Sequence, residues 1–154
     1  SELATAGFTV CNGGYGGTME ASARGAKTAG GKTIGIISKS FVGRKANRWI
    51  DTTIEVNDMV ERLLKLISIA DAYVVLKGGT GTLLELAAAW EFMNKNLMNQ
   101  KPIVVVGEFW SGVVQTLKDE LAWEGLLNAT KLVTIVETPK QCAEELRDRI
   151  LSSQ

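Results

Sequence analysis

The 154-residue chain has no histidine, only two cysteines and no excess charge of either sign, lysine plus arginine (17) matching aspartate plus glutamate (17). Without histidine there is no imidazole to act as general base or metal ligand. The cysteines, Cys11 and Cys142, are far apart and match no metal-ligand spacing. Balanced charge argues against a broad basic face for nucleic acid or an anionic membrane, so any anion binding is local. No apolar run approaches the ~18 residues of a membrane span and no secretory signal is seen, which points to a reducing cytoplasm.

Glycine, by contrast, is plentiful and clustered. Gly13-Gly14-Tyr15-Gly16-Gly17 and Lys77-Gly78-Gly79-Thr80-Gly81-Thr82 each follow a β-rich apolar run and open a helix-like stretch. The first turn of a helix presents unpaired N–H groups and the positive end of the dipole, and glycine has no Cβ to keep an anion away. Each cluster is therefore a candidate phosphate cradle. In one small domain the two are expected to converge on a crevice at the carboxyl edge of a parallel sheet.

Strand and helix signals alternate along the chain, and at 45% hydrophobic residues it can bury one sizeable core as a single domain. Ser1 to Gly7 reads as the last turn of a helix with Gly7 at C′, so a first strand and most of a first helix are expected to be missing ahead of it. Phe8 to Asn12 is β-prone, Thr18 to Ala29 helical with Gly30-Gly31 as its stop, and Thr33 to Ser38 strand-like. Lys39 to Asp51 is polar and glycine-punctuated, hence a loop, and Thr52 to Val56 a short strand. Asp58 with Glu61 forms a capping pair for the next helix. Ala72 to Leu76 is apolar on both faces, as a central parallel strand should be. Thr82 with Glu85 reads as a second capping box, opening a helix to about Asn96 that is mostly apolar all round, suited to the core or to a subunit interface. Pro102 to Val106 is a strand, Ser111 to Glu120 a helix and Leu132 to Val136 a strand, and Thr138 to Gln141 caps the last helix with Pro139 in its first position. The prediction is an α/β protein with a Rossmann-like, doubly wound parallel sheet in three α/β/α layers and right-handed crossovers.

Two common nucleotide motifs are missing. The first cluster has the wrong spacing for G-x-G-x-x-G, and Ile37-Ser38 stand where an aspartate for a ribose would close the next strand. The second lacks the lysine of G-x-x-x-x-G-K-[ST]. Near the clusters, Glu85 lies about one turn into its helix and serves either as a cap or as a carboxylate at a ligand's rim. Arg62, one turn into the helix from Asp58, either clamps a phosphate, pairs with Glu85 or is a solvated surface arginine.

Gly78-Gly79-Thr80-Gly81-Thr82-Leu83-Leu84-Glu85 resembles the GGxGTxxE signature of the Lonely Guy family of nucleoside 5′-monophosphate phosphoribohydrolases, often mislabelled lysine decarboxylases. Met59-Val60-Glu61-Arg62 stands where that family has a methionine, histidine, variable, arginine run, and Ser68 to Ala72 matches its lead into the signature strand. Met19, Ala21 and Arg24-Gly25-Ala26 also look like the helix behind its first glycine loop. The similarity runs from Gly7 to about Leu146, with Lys77, Val60 and Leu63 departing from the family's proline, histidine and lysine.

The resemblance implies hydrolysis of the N-glycosidic bond of a ribose 5-monophosphate. Gly13, Gly14, Gly16, Gly17 and Met19, with Gly78, Gly79, Thr80, Gly81 and Thr82, would grip the phosphate, and Arg62 and Glu85 would take the catalytic positions. It implies no metal and no organic cofactor, a small phosphorylated ligand as partner, and a homodimer. No lysine is placed for pyridoxal phosphate, which speaks against decarboxylation. The first loop also resembles a neighbouring branch that carries the molybdenum cofactor, which implies as an alternative a binding module for a phosphorylated pterin or nucleotide.

Overall fold

A computed structural model describes residues 1–151, which gather into two compact units, Ser1 to Ala70 and Asp71 onward. The first unit holds α1 (Glu2–Thr5), β1 (Val10–Asn12), α2 (Thr18–Thr28), β2 (Thr33–Ser38), β3 (Thr52–Val56) and α3 (Met59–Ile69). The second holds β4 (Tyr73–Val75), α4 (Thr80–Asn94), β5 (Ile103–Val106), α5 (Ser111–Trp123), α6 (Leu127–Thr130), β6 (Val133–Val136) and α7 (Pro139–Leu151). Each unit has a three-stranded parallel sheet, ordered β1-β2-β3 in the first and β4-β5-β6 in the second, flanked by helices. This is the α/β class expected from the alternating signals. Among the described residues no helix is long and apolar enough to cross a membrane.

In the first unit β2 is central and almost wholly buried, while β3 at the edge exposes Thr52, Thr53 and Glu55. That burial explains why Ile34 to Ile37 is an apolar run without alternation. Ala23 and Ala26 of α2 are fully covered, and small side chains there let the helix lie close to the strands. Lys27 of α2 reaches Asp51 at 2.7 Å, whose carboxylate also accepts the Thr33 amide at 2.9 Å, tying helix to sheet.

The second unit is built around Ile103, Val104 and Val105 of β5, all fully buried. Two tryptophans reach from helical segments to backbone carbonyls: Trp90 Nε1 donates to Ala129 at 2.8 Å and Trp110 Nε1 to Leu76 at 3.0 Å. A tryptophan so placed buries its large ring while its one polar atom stays paired. α7 opens with a reciprocal cap. Gln141 N donates to Thr138 Oγ1 at 3.2 Å, and Gln141 Oε1 accepts from the Glu137 and Thr138 amides at 3.0 Å.

One element begins differently from the sequence expectation. α4 starts at Thr80, with Gly79 in the N-cap position and no side-chain cap hydrogen bond. The Thr82 and Glu85 capping box is therefore not formed, and Glu85 stands one and a half turns inside the helix, where a carboxylate cannot reach the terminal amides. The helix start is instead left to backbone N–H groups and glycine.

Candidate functional site

Both glycine clusters lie at the carboxyl end of the first strand of their own sheet and lead directly into a helix. In the first, β1 runs beside β2 only as far as the Asn12 and Gly35 pair. Past that point the chain turns through Gly13 to Gly17 into α2. Gly13 and Gly14 are buried, Gly16 and Gly17 exposed, and Met19 is partly covered.

Arg62 is the centre of this turn. It is 7% exposed, its Nε donates to Ile36 O at 2.8 Å and its Nη2 to Gly13 O at 3.0 Å, with Met19 Sδ 3.8 Å away. The solvated-arginine alternative is thereby overturned. Arg62 is delivered by α3, whose start is fixed by Asp58 accepting the Glu61 amide at 2.8 Å while the Glu61 carboxylate takes the Asn57 amide at 2.8 Å. A guanidinium suits the position because its rigid fork matches two carbonyls at once and it stays charged when buried.

The loop between β2 and β3 completes the cradle, and sequence reading had assigned it no role. Asn47 donates from its backbone to Gly14 O at 2.8 Å, and its Nδ2 reaches Gly14 O at 3.1 Å and Tyr15 O at 2.8 Å. Tyr15 is buried, and its hydroxyl accepts the Ser38 amide at 2.9 Å. Its ring meets Phe41 edge to face at 5.5 Å, and the Arg62 and Arg44 guanidinium carbons lie 5.5 and 5.9 Å from the Tyr15 centroid. The available signal was an aromatic residue, a glycine and a run of cations inside an otherwise polar loop.

The carbonyls of Gly13, Gly14 and Tyr15 are thus drawn to Arg62 and Asn47. α2 has Gly17 as its N-cap and no side-chain cap hydrogen bond. Gly17 adopts φ 68° and ψ −134°, a region essentially reserved for glycine. Nearby, burial pushes the Cys11 thiol up to about 11, so it is no nucleophile at neutral pH.

In the second unit, Lys77, Gly79, Thr80 and Gly81 are exposed and Gly78, Thr82 and Glu85 partly so. A Cβ on Gly78 would stand 2.2 Å from Thr82 Oγ1, so the turn closes tightly over that side chain. Gly79 and Gly81 have open space and no positive φ, so the fold itself does not demand glycine there. With glycine at the N-cap, α4 has no side-chain cap from that position, and a helix start of this kind suits an anion.

Residues 19–146 match the family model described as possible lysine decarboxylase. The chain belongs to this family, the one its Gly78 to Glu85 signature resembles. A cytokinin riboside 5′-monophosphate phosphoribohydrolase of Mycobacterium tuberculosis is 39% identical over 108 residues, covering 68% of this chain and 56% of that protein. A protein of the same name from Mycobacterium marinum is 33% identical over 138 residues, covering 87% of this chain and 73% of that one. Among solved structures, the molybdenum cofactor binding protein of Rippkaea orientalis superposes with a TM-score of 0.70 at 30% identity, over 96% of this chain and 81% of that one. The molybdenum cofactor carrier protein of Chlamydomonas reinhardtii, at 21% identity and a TM-score of 0.72 over 97% of this chain and 82% of that one, shares the fold.

Proposed function

We propose that the protein is a nucleoside 5′-monophosphate phosphoribohydrolase. Water adds to C1′ of the ribose, the N-glycosidic bond breaks, and the base leaves with a proton, giving free base and ribose 5-phosphate. The observation that carries the reading is that α4 starts on glycine, with Glu85 beyond the capping-box position of the same helix. Similarity to the two mycobacterial proteins supports the same reaction.

In this scheme each glycine cradle by itself offers backbone N–H groups to a phosphate, the second together with Thr80. Glu85 stabilises the oxocarbenium character that develops on the ribose and polarises the attacking water. Arg62 holds the first cradle in shape and lends its charge to an anion bound there. Each residue is assigned from its own unit's geometry and the family signature. The partner is a small phosphorylated molecule, and the working form is a homodimer in the cytoplasm.

Incubation with AMP should release adenine and ribose 5-phosphate, and Glu85→Gln should lower the rate roughly 10²-fold or more. Unchanged turnover in that variant would refute the assignment. The likeness to the Rippkaea protein favours a second reading, a carrier of a phosphorylated pterin. A carrier would leave AMP intact and gain thermal stability with its ligand by mass action.

A further inference from the structure

We propose that Arg44 is a ligand-binding residue of the first cradle, supplying a cation to the phosphate monoester that Gly13 to Met19 takes. The inference rests on the nucleotide reading above and extends it to a loop that neither the family signature nor the sequence pattern marks.

Arg44 is exposed and forms no ion pair among the described residues. Its position is nevertheless set from both sides. Three residues before it, Phe41 packs its ring on Tyr15 of the cradle, and the Arg44 amide donates to Phe41 O at 3.0 Å across a turn whose Gly43 has φ 77°. Three residues after it, Asn47 is bonded to the cradle carbonyls of Gly14 and Tyr15. The guanidinium carbon consequently lies 5.9 Å from the Tyr15 centroid and 5.8 Å from that of Phe41.

Arg62 approaches the same two rings, at 5.5 and 5.9 Å. Two like charges are thus gathered on one aromatic pair, and while Arg62 is engaged by the Gly13 and Ile36 carbonyls, Arg44 has no anionic partner among the described residues. Stacking at an exposed site is weak, so the rings orient Arg44 without neutralising it. An anion arriving at the start of α2 would offset the repulsion, and a guanidinium engages phosphate oxygens through two parallel N–H bonds. A phosphate monoester fits both features. A neutral nucleoside fits neither.

Calorimetric titration of AMP and of adenosine into the full chain tests this, with Glu85→Gln as the parent so that AMP is not consumed. Arg44→Ala should weaken AMP roughly tenfold or more, leave adenosine unchanged and make AMP binding less salt-dependent, while Arg44→Lys recovers part of the loss. Equal AMP affinity in parent and Arg44→Ala would overturn the proposal, as would an equal loss for adenosine or a parent that binds no AMP. AMP binding that depends on Arg44 without any adenine release by the unsubstituted protein would instead refute the hydrolase reading and leave this one standing.

Discussion

A Cβ added at Gly13 would stand 1.7 Å from Arg62 Nη2 and 2.6 Å from Met19 Sδ. The flexible Met19 side chain can shift, but the arginine cannot yield cheaply, because it is buried and bonded to the carbonyls of Gly13 and Ile36. Gly13→Ala should therefore cost about 2–4 kcal/mol, the scale of disturbing a buried, hydrogen-bonded charge, and abolish AMP binding. Urea unfolding and calorimetry check the two effects separately, and a variant of normal stability would show that Arg62 has somewhere else to go. Glycine at Gly13 could be seen in the sequence, but its reason could not. The contact that demands it spans 49 positions, and burial of Arg62 depends on how α3 lies against β2. Arg44 and Asn47 were illegible for the same reason, since a loop's polarity says nothing about which carbonyl it will meet.

Helix starts show the opposite behaviour, because caps are local and are written in adjacent residues. The Asp58 and Glu61 pair and the Thr138 and Gln141 pair form as their spacing predicts. The α4 start misled for a physical reason: Thr82 and Glu85 have capping-box spacing, yet the helix starts at Thr80 with Gly79, which has no side chain to offer as a cap, in the N-cap position. α6, with only four residues, carries too little periodicity to be read at all. Gly79 has φ −97° and open space around its missing Cβ, so Gly79→Asp is sterically free. An aspartate there should raise stability by a few tenths of a kcal/mol as an N-cap and weaken AMP by occupying the same amides. A higher Tm with undiminished AMP affinity would exclude that helix start from phosphate binding. Between elements, the Lys27 ammonium bonded to Asp51, with help from the Thr33 amide, holds that carboxyl below the usual carboxylate range. A lowered folded pKa gives a contribution that is complete above about pH 4 and is lost as pH falls through the folded value. Asp51→Asn should accordingly be less stable than the unsubstituted protein at pH 7, the gap closing in acid, as urea midpoints at the two pH values would record.

For the molecule as a whole, the apolar α4 bears on assembly. Between Leu83 and Met93 only Glu85 and Glu91 are charged, and Leu84 is 45% exposed. A helix of this composition with an exposed leucine fits the proposed homodimer. Sedimentation velocity should give the mass of two chains, and Leu84→Glu should halve it; a monomer at micromolar concentration would remove the dimer from the scheme. The fold class was readable because buried parallel strands such as Ile103 to Val106 carry near-continuous apolar runs between helical signals.

The inward-turned carbonyls of the first cradle carry one more consequence. A peptide plane has two ends, so anchoring the oxygens of Gly13, Gly14 and Tyr15 on Arg62 and Asn47 also settles where the intervening amides aim. For the phosphate proposed to bind here, a loop already held in this way has less reorganisation left to undergo than a flexible one, which favours affinity through preorganisation.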